Sequence, residues 1–221
     1  MHSVTDSLAL SAYPPAPWKL SGSSVQALCL MPIARIGTLI PPEARIVPVL
    51  PGRTLAALYC AEYRPPSALC YHELAVAPAL IRARGRIGFW ISHIYVDLPA
   101  SMHAGRDIWG LPKQLAAFHS SGPEEMTVTQ DGRNLCNICW SSGAWSVPLP
   151  LLLPVVSRRG SHLQRFTASG RCATGLRSGR IAIDAGAPLE MREFQNVRRL
   201  FVARHLSLHV SPPRALSAPV A

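Results

Sequence analysis

Lysine is scarce in this 221-residue chain. Of its 22 Lys and Arg residues, only Lys19 and Lys113 are lysines. Lys113 closes the run from Gly105 through Arg106, Asp107, Ile108, Trp109, Gly110, Leu111 and Pro112, with Leu115 just beyond. An amine among apolar side chains is poorly solvated, and desolvation favours its neutral, nucleophilic form. Proline at position 112 suits a first helical residue, so the sequence predicts a helix over Pro112–Phe118. A cation at that point opposes the helix dipole, which argues against a merely structural surface lysine. The second chemical residue is Glu73, a lone carboxylate in the apolar segment Leu69-Cys70-Tyr71-His72-Glu73-Leu74. Its ordinary reading is a carboxylate that faces solvent or pairs with a nearby arginine, yet its apolar setting is unusual.

Other constellations carry less. Cys136 and Cys139 form a CxxC, but positions i and i+3 of a strand point to opposite faces, so the two thiols do not clamp one metal. There is no second CxxC. His205 and His209 have helical ligand spacing within a segment that reads as a strand. The sequence holds no HExxH, GxSxG, Walker or GxGxxG pattern, and 82–88 (RARGRIG) is a basic turn. No metal and no cofactor is expected.

The elements that must position these residues are short. Twenty-one prolines and 15 glycines punctuate the chain, which favours strands and turns over long helices. Strands are predicted at 24–30, 46–50, 54–63, 67–77, 87–97, 126–130, 134–141, 163–172, 180–184 and 206–210. Asp131-Gly132 is a hairpin signal. Helices are predicted at 31–39, 112–118 and 188–202. The reading is a mainly β, α+β protein with one curved antiparallel sheet forming a barrel. Residues 13–210 make a single domain between a flexible start, 1–12, and a flexible tail, 211–221.

Hydrophobic residues are 48% of the chain and charged ones 15%, against a usual charged share of about 25%. That excludes an intrinsically disordered chain. The net charge of +10 is dispersed arginine without a basic stripe, so nucleic acid is not an expected partner. The longest apolar stretch, 147–156, is half a membrane span and carries Pro148, Pro150 and Pro154. The start lacks the basic residues of a signal peptide. Together with six dispersed cysteines, these features predict a cytoplasmic protein with no membrane partner.

Four segments, in order, resemble the acetoacetate decarboxylase superfamily. They are 13–18 (YPPAPW), 70–73 (CYHE), 91–97 (ISHIYVD) and 105–113 (GRDIWGLPK). The resemblance runs over roughly 13–210. It implies a cone-shaped β-barrel with flanking helices, often in a homo-oligomer, acting on a small molecule. It also implies that Lys113 is the Schiff-base lysine and Glu73 the acid/base carboxylate. Ser23, Leu58, Leu111 and Gln114 stand where the family has an arginine, a glutamate, a tyrosine and a second lysine. Arg106, Trp109, Tyr71 and Trp90 complete the expected substrate-facing set. Loss of an arginine removes a carboxylate clamp worth about 1.5–3 kcal/mol. The implied substrate is a keto acid or ketone larger and more apolar than acetoacetate, undergoing decarboxylation or aldol/dehydration chemistry. The alternative is a cyclase or isomerase of polyketide or terpenoid specialised metabolism, using the cavity with Glu73 or Asp107 for proton transfer.

Overall fold

The chain builds its core from long, alternating strands that share one sheet. A computed structural model describes residues 13–216; the predicted flexible start, 1–12, and positions 217–221 lie outside the described residues. The first half contributes β1 (Trp18–Pro32), β2 (Ala44–Ile46), β3 (Arg53–Arg64), β4 (Tyr71–Ala77), β5 (Ala79–Ala83), β6 (Arg86–Trp90) and β7 (His93–Val96). Helix α1 (Pro99–Asp107) leads into β8 (Lys113–Leu115). Strands β9 (Ala117–His119), β10 (Glu125–Gln130) and β11 (Arg133–Trp140) follow. The second half is β12 (Val147–Arg159), β13 (His162–Ile183), β14 (Arg199–Val210) and β15 (Arg214–Ala215).

The main strand order is β2-β5-β6-β12-β13-β14-β1-β3-β4-β7-β8, with β9, β10, β11 and β15 attached beside it. The mainly β class with few helices is as expected. The sheet, however, is an open curved one, not a closed barrel, and β6/β12 and β7/β8 are parallel pairs. Each face carries an apolar cluster. Leu58, Cys60, Leu74, Val76, Ile81 and Phe194 belong to the larger core. Trp18, Tyr63, Tyr71, Trp109, Val155 and Phe166 belong to a second cluster. Burial along β3 switches phase near Ala61, which lets that strand serve both.

Several elements differ from expectation, for physical reasons. Residues 112–118 are not helical. Ile94, Tyr95 and Val96 pair with Lys113, Gln114 and Leu115, so tertiary pairing overrides a short helical preference. Residues 188–202 form a 3-10 segment, Leu189–Asn196, and then β14. Leu200, Phe201 and Val202 pair with β13, the last two also with β1, and the run is captured as strand. Residues 31–39 end β1 and make two single 3-10 turns. The predicted strand 87–97 breaks at Ile91-Ser92 into β6 and β7, and 163–172 and 180–184 are parts of one strand, β13.

Beside the short strands β5 and β15, two elements that bear on the site were not expected. One is α1, which starts with proline. The other is β12, despite its prolines. It pairs along its length with β13 but with β6 only at Val155 and Val156. Its proline-rich part is therefore an edge, where a missing N–H costs no ladder bond. In the predicted tail, residues 211–216 are hydrogen-bonded. Arg214 and Ala215 pair with β13, and the Ser211 amide donates to the Thr167 carbonyl (3.0 Å). Cys136 and Cys139 are free thiols on β11, one buried and one half-buried. Burial pushes the Cys136 thiol up to about 12. Among the described residues no helix is long and apolar enough to cross a membrane.

Candidate active site

The site forms where β3, β4, β8 and α1 converge. Strand alternation places Tyr71, Glu73 and Ala75 on one face of β4. The register Ala61↔Glu73 and Tyr63↔Tyr71 brings the tyrosines of β3 alongside. Strand β7 pairs with β4 on one side and β8 on the other, which carries Lys113 to within reach of Glu73. Lys113 is only 3% exposed. Its Nζ donates to Glu73 Oε2 (2.8 Å), to Ser101 Oγ (2.9 Å) and to the Tyr71 hydroxyl (3.5 Å). It also lies 4.9 Å from the Tyr71 ring centroid.

Glu73 is held from the other side by phenols. Tyr71 donates to Oε2 (3.2 Å) and Tyr63 to Oε1 (3.5 Å), and the Tyr59 and Tyr63 hydroxyls are 3.0 Å apart. Burial, reinforced by the Glu73 charge, pushes the Tyr71 phenol well above its ordinary value. Burial and the neighbouring Tyr59 do the same to Tyr63. These phenols therefore remain protonated donors at neutral pH.

Two supports fix the lysine. A Cβ on Gly105 would lie 2.7 Å from Lys113 Cε, so only glycine leaves the stem its channel. Arg106 Nε donates to the Lys113 carbonyl (2.7 Å) and fixes its backbone. Gly110, at φ +58°, makes the turn between α1 and β8, and a Cβ there would lie 2.8 Å from the Arg158 carbonyl carbon. The Ser157 hydroxyl donates to the Trp109 carbonyl (2.6 Å) in the same turn.

The amine and carboxylate look into a cavity of about 180 Å³. Trp18, Leu20, Trp109, Leu111, Val155 and Phe166 form much of its wall. Trp18 is set by the extended proline-rich entry, its Nε1 donating to the Pro14 carbonyl (2.9 Å), and it packs edge-on against Trp109. No arginine lines the cavity among the described residues.

Of the residues expected from sequence, Lys113, Glu73, Tyr71, Trp109 and Leu111 come together here. Leu58 borders the cavity but packs into the larger core. Four do not line it. Arg106 turns back onto the Lys113 carbonyl and, with Trp90, borders a separate cleft. Gln114 follows Lys113 on β8 and so faces the other way, accepting from Gln130 Nε2 (3.0 Å). Ser23 sits at the β1 bulge opposite Glu62. Glu62 pairs with Arg64 (2.6 Å), and Asp107 accepts from the Tyr13 hydroxyl (2.6 Å); neither lines the cavity.

Sequence reasoning missed Ser101, Gly105, Tyr59 and Tyr63. The proline starting α1 was a legible signal for the helix that carries Ser101 and Gly105. Tyr59 and Tyr63 share a strand face, but only the β3/β4 register reveals their target.

An open, curved β-sheet that cradles a buried lysine–glutamate pair beneath an apolar cavity defines a scaffold for small-molecule chemistry. Residues 6–171 match the family model described as acetoacetate decarboxylase, and the chain belongs to that family. The protein NEOXANTHIN-DEFICIENT 1 of Arabidopsis thaliana is 30% identical over 115 residues, 52% of this chain and 40% of that protein. The match thus spans about two fifths of that relative's length. Among solved structures, acetoacetate decarboxylase from Legionella pneumophila has a TM-score of 0.67 at 14% identity, covering 96% of this chain and 92% of that one. The enduracididine biosynthesis enzyme MppR, complexed with the condensation product of pyruvate and imidazole 4-carboxaldehyde, has a TM-score of 0.63 at 17% identity. It covers 93% of this chain and 91% of its own. These likenesses establish the shared fold.

Proposed function

We propose that this protein is a Schiff-base enzyme acting on a keto acid or ketone larger and more apolar than acetoacetate. The observation that carries the reading is the 2.8 Å contact between Lys113 Nζ and Glu73 Oε2 at the base of an apolar cavity. One proton shared along that hydrogen bond gives, on transfer to the carboxylate, a neutral amine beside a carboxylic acid. The amine attacks the carbonyl carbon, a C–N bond forms as the C=O π pair moves onto oxygen, and one amine proton passes to that oxygen to give a carbinolamine. Glu73 then protonates the departing hydroxyl, water leaves, and an iminium remains.

The iminium is an electron sink. In a β-keto acid the bond to the carboxylate breaks, its electron pair flows toward nitrogen, and CO2 leaves an enamine. In a ketone the carboxylate removes an α-proton and reaches the same enamine, which can add to an aldehyde. Protonation at carbon and attack of water on the iminium return the ketone and the amine. The three phenols keep Glu73 placed throughout. The complex of MppR with a condensation product of pyruvate and imidazole 4-carboxaldehyde supports the branch that joins a ketone to an aldehyde on this fold.

A second reading has one observation in its favour. Lys113 Nζ has three acceptors around it, which is the satisfied coordination of an ammonium. On that reading Glu73 transfers protons without an imine, as in a cyclase or isomerase. Deuterium exchange at the methyl groups of a ketone in heavy water, followed by NMR, separates the two. Exchange that disappears in Lys113→Ala supports the imine. Exchange or turnover that survives in Lys113→Ala but is lost in Glu73→Gln supports the second reading.

A further inference from the structure

The cavity wall does not stop at the cavity. Along β12 the odd-numbered residues share one face: Val155 and Leu153 line the cavity, Leu151 packs against the same cluster, and Leu149 and Val147 continue outward. Their partners on β13 confirm the face, because Val155 pairs with Phe166 and Leu153 with Ala168, both of the cavity wall. Leu149 pairs with buried Cys172 of the same cluster. Strand β1 repeats the pattern on the far side. Leu28 lines the cavity opposite Ala57, and Leu30 pairs with Leu55 one step further out. Phe201 joins them, paired with Gln26 of the wall and with Leu176 of β13.

These outer residues are apolar, and all but the half-buried Phe201, Leu151 and Leu55 are exposed. Leu149 is 43% exposed and Leu28 41%, and Leu30, Val147 and Leu176 are exposed too. Exposed apolar side chains scattered singly need no explanation; a continuous stripe on one sheet face does. From Val155 to Leu149 the stripe runs roughly 20 Å at strand spacing.

The geometry points to an elongated ketone whose apolar tail lies along this open face while its carbonyl reaches Lys113. The inference rests on the Schiff-base reading for the head and on the register of β1, β12, β13 and β14 for the tail. The occupant follows from continuity. The stripe begins at the lysine and is interrupted only by Gln26 on β1 and Thr174 on β13, and the cavity itself, about 180 Å³, is smaller than an ordinary ligand pocket of roughly 300–1,000 Å³. It thus holds the reacting head and leaves a tail outside.

The test uses acetone, methyl hexyl ketone and methyl nonyl ketone as substrates whose imines are trapped by borohydride, and nonyl alcohol, which has no carbonyl, as a calorimetric ligand. Leu149→Asp and Leu28→Asp interrupt the stripe. Leu152→Asp is the control, being 72% exposed on the opposite face of the same strand. Apparent affinity is expected to tighten about twofold to fourfold per methylene, with that dependence lost in Leu149→Asp and Leu28→Asp and kept in Leu152→Asp. Tail-length independence, or an equal effect of all three substitutions, overturns the inference. So does rim dimerisation, seen as dissociation by Leu149→Asp with no change in tail dependence. Alcohol binding that obeys the pattern while ketones never become trapped supports the tail path and contradicts the Schiff base instead.

Discussion

The molecule buries two glutamates, each against a base, and uses them differently. Glu73 meets Lys113 (2.8 Å) and faces the cavity, with Tyr63 and Tyr71 on the carboxylate and Ser101 on the amine. Glu190 meets His93 (2.8 Å) and the Ser92 hydroxyl (2.8 Å) and ties the 3-10 segment Leu189–Asn196 to the start of β7. Burial alone would push the Glu190 carboxyl up, but hydrogen bonds from His93, the backbone and Ser92 outweigh it and hold it below the ordinary range. The lesson is that a buried carboxylate set against a basic side chain is not itself a sign of chemistry. What separates the pairs is the apolar, arginine-free space above Glu73 and the glycine that gives its lysine a channel.

The comparison can be broken most forcefully by exchanging function at the two sites. Lys113→Ala is expected to lower turnover by on the order of a thousandfold or more, and Glu73→Gln by about a hundredfold or more, in steady-state assays. Glu190→Gln is expected to leave turnover within about twofold while lowering stability by about 1–3 kcal/mol in denaturant titration. Comparable activity losses at Glu190 and Glu73 would erase the distinction.

Stability sharpens it next. Lys113→Met strands the Glu73 charge in the interior and is expected to cost about 3–5 kcal/mol, whereas Lys113→Met with Glu73→Leu recovers much of that. A double variant no more stable than the single one would mean that the carboxylate finds other solvation. Gly105→Ala is a subtler probe. Its methyl group must displace the lysine stem, so the trapping rate with ketones should fall by about tenfold to a hundredfold, with the sheet intact by circular dichroism.

How much of this was legible in the sequence depends on whether a residue's role is local. Lys113 and Glu73 stood out because their types clash with apolar surroundings, and the Asp131-Gly132 hairpin declared itself through turn chemistry, with both residues at positive φ. The mainly β class followed from proline and glycine spacing. What stayed hidden was set by partners distant in sequence. The β7/β8 pairing turned a predicted helix into the strand that presents Lys113. Prolines in β12 obscured a strand whose edge tolerates them. Gln114 and Ser23 sat at family positions, yet alternation and a bulge turn them from the cavity. The phenolic ring around Glu73 needed the β3/β4 register.

The smallest expected effects are pH dependences of opposite sign at the two sites. The phenols of Tyr63 and Tyr71 are raised in the folded protein, so their contribution is complete below the free tyrosine value of about 10 and is lost as pH rises beyond it. Tyrosinate absorbance at pH near 10 should stay well below that of the unfolded chain. The Glu190 carboxyl is depressed, so its contribution is present above the free glutamate value of about 4.3 and fades as pH falls below it. Glu190→Gln should flatten the acid limb of the stability curve and leave the alkaline limb unchanged.

The central claim is that Lys113 forms a covalent imine. Incubation with a methyl ketone and borohydride, then peptide mass mapping, tests it most directly. The account predicts one irreversible adduct per chain, on Lys113, blocked by prior occupancy of the cavity. No adduct, or an adduct on Lys19 in place of Lys113, would contradict it.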